Sequence, residues 1–572
     1  MVVINRGAHA EPGTSLLFKT GNWRSTECPS HVHTKAPCHA ACPAGEDQQA
    51  WFAWLQEGHV ELAWRELVRA NPLPAVTGRV CPHPCEAACN RNAIDAPLAI
   101  HNVERWLGDE AIAKGWAYPV APPAEDAPVV AIVGSGPGGL SAAYHCVRLG
   151  LRAEIFEALP EAGGLLRSAI PPTRLPRPAL DAELNRLLAL PGITINLRCK
   201  LGRDVTLDEL GRSHDAVILA PGCQESKEWN VDGAVPTDLH EGLHLLREFM
   251  DHGEFPAAHH VAVHGGGNTA IDLCRMMKRH GVEQVTLITA SALPGPDTDP
   301  ADLINVVPRE LEEALEEGIE IVEHATVKRL IMKGSRVTGV EIVSLKKLTG
   351  TDGRKHRVQF EGTERVVSVD MVIPCIGERV KADGLHSLLS RRHYLDATDP
   401  WGRTPQENVF AIGDARGDRG TVAEAIGDGR LAVEAVAAKL FGLPDPVRDD
   451  RGEMPAAGLN TVYFGPIERA RVPKLPVADR TFEAEIEGDI GRLGALREAT
   501  RCLSCGNCLA CDNCWVMCPD NAVIKTAELA SDGSHYLFDL DYCKGCGICA
   551  NECPTGFIQM RTDTWQDSDQ TV

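Results

Sequence analysis

The chain has 572 residues, 44% hydrophobic and 24% charged, with a formal net charge of −22. That length calls for several domains rather than one core, and the acidity excludes a nucleic-acid surface, which needs clustered Lys and Arg. No apolar run reaches the ~18 residues of a membrane span, and the opening MVVINRGAHAEPG lacks the apolar centre of a signal peptide, so a cytoplasmic protein is expected. The 21 cysteines, in a reducing compartment, read as metal or iron–sulfur ligands rather than as a disulfide framework.

In chain order, residues 1–125 carry Cys28, Cys38, Cys42, Cys81, Cys85 and Cys89 around a helical stretch, WFAWLQEGHVELAWRELV. Asn71-Pro72 ends that stretch, and the Pro/Ala segment VAPPAEDAP closes the region.

From residue 129 the pattern becomes strand, glycine turn, helix and strand, in VVAIVGSGPGGLSAAYHCVRLG and LRAEIFEA. Gly134, Gly136 and Gly139 give a tight turn, a close approach to a pyrophosphate, and close helix–strand packing. Pro137 and Gly138 open the helix whose N-terminus faces the phosphates. Glu157, at the end of the next strand, is placed for a ribose hydroxyl. The order recurs in VAVHGGGNTAIDLCRMMKRHG and VEQVTLITA, where Gly265, Gly267, Asn268, Thr269 and Ala270 form a second nucleotide turn. The acid expected after its second strand is replaced by Thr289 and Ser291. Another strand follows in VFAIGD, and residues 442–495 read as a connecting segment.

The tail from 496 is cysteine-dense. Cys543, Cys546, Cys549 and Cys553-Pro554 give C-x₂-C-x₂-C-x₃-C-P, a run whose fourth cysteine crosses to the other cluster of a pair. Upstream, Cys508, Cys511, Cys514 and Cys518-Pro519 repeat it. The expected sets are Cys543, Cys546, Cys549 with Cys518, and Cys508, Cys511, Cys514 with Cys553. Cys502 and Cys505 are left over, as structural thiols or as half of a zinc or additional cluster site.

The stretches GRVCPHPCEAACNR, VAIVGSGPGGLSAAYH, GGLLRSAIPPTRLP, VAVHGGGNTAIDLCR and NVFAIGDARGDRGTVAEAIGDGR resemble the two-dinucleotide-binding flavoprotein oxidoreductases. The resemblance is to the glutamate-synthase β-subunit-like branch. It implies a multidomain α/β chain: a helical N-terminal iron–sulfur domain (1–125), an FAD domain in two pieces (126–228 and 379–441), an inserted NAD(P) domain (229–378), a linker (442–495) and a ferredoxin-like α+β domain (496–572). It also implies that Gly163, Gly164, Leu165, Arg174, Ala220, Gly222, Gly413, Asp414, Thr421 and Ala425 join the FAD site. Cys42, Cys81, Cys85 and Cys89 would hold one [4Fe–4S] cluster, with Cys38 as a further candidate, giving three clusters and room for a fourth. His31 and His33 read as ordinary histidines.

Disulfide reductases of this superfamily carry a redox cysteine pair, which GGLLRSAIPP and GNTAIDLCR lack. Cys146, Cys199, Cys223, Cys274 and Cys375 read as buried small hydrophobes, so flavin electrons must leave by the clusters and no catalytic side chain is nominated. Relatives commonly carry an arginine pair where this chain has Thr289-Ala290-Ser291-Ala292. Without a guanidinium for the 2′-phosphate, NAD(H) is expected over NADP(H). The ferredoxin-like tail resembles FAD-containing electron-transfer subunits of thiamine-dependent 2-oxoacid oxidoreductases, such as phenylglyoxylate dehydrogenase. An NADPH-oxidising glutamate-synthase-type subunit, a bifurcating transhydrogenase component and a scaffold role are the rivals.

Overall fold

The computed structural model describes residues 25–562 apart from 234–235, 237–238, 350–354, 418–419 and 528–532. The opening peptide and the outer ends of the first and last segments read above lie outside the described residues. The fold is multidomain α/β, with a helical N-terminal part, two nested Rossmann-type sheets and a ferredoxin-type C-terminal part.

The larger sheet has five strands in the order Val409–Ala411, Ala216–Leu219, Val129–Val133, Arg152–Glu157 and Ile193–Leu197. All neighbours are parallel. The central runs VVAIV and AVIL are apolar throughout because helices cover both faces of such a sheet. The strand from 409–411 reaches this sheet only after the chain has left it and returned. In between, Met371–Cys375, His260–Gly265, Gln284–Ile288 and Glu320–Val322 form a second parallel sheet. An antiparallel sheet over 325–367 packs beside it. The outgoing and returning passages pair with each other, Glu225–Ser226 against Glu378–Arg379.

In the N-terminal part, Asp47 caps the helix Gln48–Gln56 by accepting from Ala50 N at 3.0 Å. Trp51, Leu55, Trp64 and Leu67 from this helix and Val60–Leu67 are fully buried. Helices Pro74–Val80 and Ile100–Lys114 cross at glycines. A Cβ on Gly78 would stand 2.4 Å from Arg105 N, and one on Gly108 2.3 Å from Ala75 N.

The two chain ends share structure, which the division into 1–125 and 496–572 does not convey. Strand Glu27–His31 pairs antiparallel with Ile558–Thr562, the last strand described, and so completes the cysteine-dense C-terminal part. The 442–495 segment contributes buried Met454, Tyr463 and Phe464, which pack with Leu503. Among the described residues no helix is long and apolar enough to cross a membrane.

Candidate cofactor sites

At the first nucleotide turn Gly134 takes φ +102, and a Cβ there would stand 2.3 Å from Ala220 O. A Cβ on Gly139 would stand 2.0 Å from Gly134 O, so turn and helix close only with glycine at both positions. Gly136 differs: nothing lies within 4 Å of its Cβ position. It opens the lane a pyrophosphate needs, beside the N-terminus of helix Pro137–Arg148.

Glu157 is buried and braces this turn. Its carboxylate accepts from Ser135 N at 2.9 Å and Ser135 Oγ at 2.5 Å, and from Leu159 N at 2.7 Å. Gly163 N donates to Ser135 O at 3.1 Å, and a Cβ on Gly164 would meet Gly136 Cα at 3.0 Å. Gly163, Gly164 and Leu165 are thereby held against the turn. Gly222 takes φ +63 just past Ala220. From the returning chain, Gly413 N donates to Asp428 and its Cβ position lies 3.5 Å from Ala425 Cβ. Thr421 caps helix Val422–Leu440. Burial pushes the Asp414 carboxyl up to about 6.

Arg174 does not point to this site. Its guanidinium is buried and engages Asp272 at 2.7 Å and Glu310 at 3.0 Å, both in the inserted domain. The flavin contact expected for it is corrected to a joint between domains, because two buried carboxylates claim its charge.

At the second turn, a Cβ on Gly265 would stand 2.2 Å from Cys375 O, whereas Gly267 again faces open space. Asn268 Oδ1 accepts from Val307 N at 2.9 Å, and Thr269 and Ala270 begin the helix Asn268–Arg279. The strand end at 289–292 has a cationic neighbour that sequence reading missed. Arg357, from strand Lys355–Gln359, reaches Ser291 Oγ at 3.4 Å. It also lies 3.4 Å from Asp302, which Lys347 approaches to 2.6 Å. No local signal marks Arg357, because a folded hairpin delivers it. Arg309 faces elsewhere, donating to Arg79 O.

Fifteen of the 21 cysteines fall into four groups. Cys518, Cys543, Cys546 and Cys549 line one pocket, with Pro29 at its edge. Cys508, Cys511, Cys514 and Cys553 line a second. His31 borders the second pocket and stacks on Phe557 with centroids 4.8 Å apart, and His33 meets the same ring edge-on. Left-handed residues shape the loops: Ala510 before Cys511 and Gly545 before Cys546. Gly545 N donates to Cys543 Sγ at 3.4 Å.

In the N-terminal part Cys42, Cys81 and Cys85 are mutual neighbours. Burial raises each thiol, and Glu104 adds to the rise in all three. Burial pushes Glu104 up to about 7, and it accepts from Asn71 at 3.2 Å and from Thr77. Being a helix residue outside any cysteine motif, it gave no sequence signal. Cys89 is not in this group. It lies with Cys38, Cys502 and Cys505, so the expected set of Cys42, Cys81, Cys85 and Cys89 is divided by the fold.

Among the described residues no three His, Cys, Asp or Glu side chains close around a point suited to one metal ion. The C-terminal thiols instead surround a space, as a cluster requires when each thiolate binds a different iron. No cysteine takes part in a disulfide. Cys146, Cys274 and Cys375 are raised by burial, and Cys199 by partial burial.

The pyridine nucleotide-disulphide oxidoreductase family matches residues 128–436. Dihydropyrimidine dehydrogenase domain II, a 4Fe-4S domain, matches 23–116, and a 4Fe-4S binding domain matches 536–559. The chain is 33% identical to the NADP(+)-dependent formate dehydrogenase subunit beta of Moorella thermoacetica, over 87% of this chain and 73% of that one. It is 32% identical to the NADPH-Fe(3+) oxidoreductase subunit beta of Geobacter sulfurreducens, over 83% and 77%. With the glutamate synthase [NADPH] small chain of Escherichia coli it shares 29%, over 70% and 87%. The chain is an oxidoreductase that belongs to the pyridine nucleotide-disulphide oxidoreductase family, in a glutamate-synthase-small-chain-like branch that joins FAD and NAD(P) to 4Fe-4S domains.

Proposed function

We propose that the chain is the electron-transfer subunit of a larger cytoplasmic oxidoreductase, passing electrons between NADP(H) and a catalytic partner through FAD and iron–sulfur clusters. The observation that carries this reading is the placement of the thiol groups. The Cys42, Cys81 and Cys85 group packs on the FAD domain: a Cβ on Gly427, in helix Val422–Leu440, would stand 2.0 Å from Pro43 O. The four-cysteine pockets lie in the ferredoxin-type part, which exposes Trp515, Val516 and Tyr542.

The residues present fit the groups. FAD would lie across Gly134–Gly139 with Glu157 at its ribose, and Gly163, Gly164, Leu165, Ala220, Gly222, Gly413, Asp414, Thr421 and Ala425 around the remainder. The nicotinamide nucleotide would cross Gly265, Gly267, Asn268, Thr269 and Ala270. Flavin, when bound, supplies the exchange between hydride transfer and single-electron transfer. The chain's own work is to orient the two nucleotides, keep water from the buried turn, and hold thiolates where irons bind.

Two observations favour NADP(H) over the NAD(H) expected from residues 289–292. Arg357 stands at Ser291, where a 2′-phosphate would be met, and the three relatives carry NADP or NADPH in their names. For the partner, those names point to formate dehydrogenase, iron(III) reduction and glutamate synthase. A thiamine-dependent 2-oxoacid partner has no counterpart among them, so the proposal is made for the class: a catalytic subunit that exchanges single electrons with the ferredoxin-type part.

Anaerobic mixing of the purified chain with NADPH or NADH tests the reading. Flavin bleaching faster with NADPH, followed by cluster reduction, is expected. A flavin that neither nucleotide reduces, or clusters that stay oxidised once it is bleached, would overturn it.

A further inference from the structure

Cys502 and Cys505 are the thiols that the spacing of the ferredoxin-like tail leaves over, and Cys38 and Cys89 are those that the N-terminal group leaves over. The fold brings these remainders from opposite ends of the chain to one place. We propose that Cys38, Cys89, Cys502 and Cys505 together ligate an additional [4Fe–4S] cluster that bridges the N-terminal helical part and the C-terminal ferredoxin-like part.

Loop geometry and packing carry this. In Cys502-Leu503-Ser504-Cys505, Ser504 takes φ +51 and its N–H donates to Cys502 Sγ at 3.5 Å. The pair Cys543–Cys546 has the same construction, with Gly545 left-handed and its N–H on Cys543 Sγ. So does Cys81, with His83 left-handed at φ +51 and its N–H on Cys81 Sγ at 3.3 Å. Serine is a costly residue for that conformation. Its use two residues after a thiol repeats the turn that wraps a sulfur at the other cysteine groups.

The surroundings join the two ends. Asn90 Nδ2, next to Cys89, donates to Cys505 Sγ at 3.4 Å. Arg91 donates to Arg501 O at 3.2 Å, and Arg501 reaches Asp95 at 2.9 Å. On the Cys38 side, Gly506 at φ +76 passes so close to Thr34 that a Cβ would stand 2.4 Å from its Oγ1. Cys89 and Cys502 are buried, and Cys38 and Cys505 half-buried. Cys38 has Cys89, Cys502 and Cys505 as charged-group neighbours, Cys502 has Cys505 and Cys89, and Cys505 has Cys89, so the four thiols face one another. Cys38 and Cys89 each lie four residues from a member of the Cys42 group, and Cys505 lies three from Cys508, so in turnover the site would take one electron from one side and give one to the other.

The test uses the full chain, purified without oxygen, and does not depend on its nucleotide or partner. A four-iron site here and in each C-terminal pocket predicts at least about twelve irons per chain, and about sixteen when the three thiols of the Cys42 group hold four more, with no stoichiometric zinc. Cys505→Ala and, from the other end, Cys38→Ala should each lower the count by about four and remove the same signal from the dithionite-reduced electron paramagnetic resonance spectrum. Cys199→Ala, outside all four groups, should change neither. About eight irons in the unmodified chain, stoichiometric zinc, a count that neither variant lowers, or different signals lost in the two variants would overturn the proposal. The count for the unmodified chain stands even if a variant fails to fold. Flavin bleaching in these variants reports separately on the function proposed above.

Discussion

Arg174 and Asp272 form a buried ion pair of 2.7 Å that ties the loop following the FAD turn to helix Asn268–Arg279 of the inserted nucleotide domain. Glu310 takes the other edge of the guanidinium and also pairs with Arg275. Arg174→Ala would leave two buried carboxylates short of a cation, and losses of about 3–5 kcal/mol follow when one partner of such a pair is removed. Thermal unfolding should move down clearly while the flavin-to-protein ratio of the folded fraction holds. Lost flavin with unchanged melting would return Arg174 to the flavin.

Gly136 and Gly139 sit in one turn but should fail differently. Gly139→Ala puts a carbon 2.0 Å from a backbone oxygen, so soluble protein should largely disappear. At Gly136 the added carbon meets open space, so Gly136→Val should yield folded protein whose flavin is lost. Circular dichroism and flavin absorbance separate the two; flavin-replete Gly136→Val would contradict the lane assigned to the pyrophosphate.

Arg357→Ala should lower kcat/KM for NADPH by about 10–100-fold, the equivalent of one charge-assisted contact of ~1.5–3 kcal/mol, and leave NADH nearly unchanged. An equal loss with both nucleotides would mean that Arg357 supports the hairpin and not the phosphate.

Glu183 lies fully buried under helix Pro74–Val80 and accepts from Ala75 N at 3.0 Å and Val76 N at 2.9 Å. Burial outweighs those bonds and pushes its pKa from 4.5 up to about 8. The folded state therefore holds this proton more tightly than the unfolded one. Its contribution is fully present below pH 4.5 and is lost as pH rises towards about 8. Glu183→Gln cannot ionise, so its melting temperature should fall less between pH 5 and pH 8, roughly the window between those two pKa values, than that of the unmodified chain. Parallel pH profiles would show that Glu183 is already ionised when folded.

Cys518→Ser and Cys553→Ser exchange their expected targets. Cys518 shares its pocket with Cys543, Cys546 and Cys549, and Cys553 shares one with Cys508, Cys511 and Cys514. Each variant should perturb the cluster signal associated with the other cysteine run. Signals that track the run containing the mutated residue would refute the crossing.

Local spacing carried much of this organisation. The glycine turns at 134–139 and 265–270 follow from runs of under ten residues, and the crossing of Cys518 and Cys553 from two cysteine runs of eleven, 508–518 and 543–553. What stayed hidden depends on tertiary approach. Arg357 reaches Ser291 from a hairpin, Glu104 reaches three thiols from a helix face, and Cys89 leaves its own motif for Cys38 and the C-terminal pair. Arg174 was misplaced because its motif fixes the loop but not which charge the guanidinium meets.

The pairing of Glu27–His31 with Ile558–Thr562 sets an order of events during biosynthesis. The strand that completes the ferredoxin-like part is made more than 500 residues before its partner. Until the C-terminal part has been made, that early strand has an open edge and the pocket beside Pro29 lacks most of its lining. Iron delivery to this part must wait until its two halves have met.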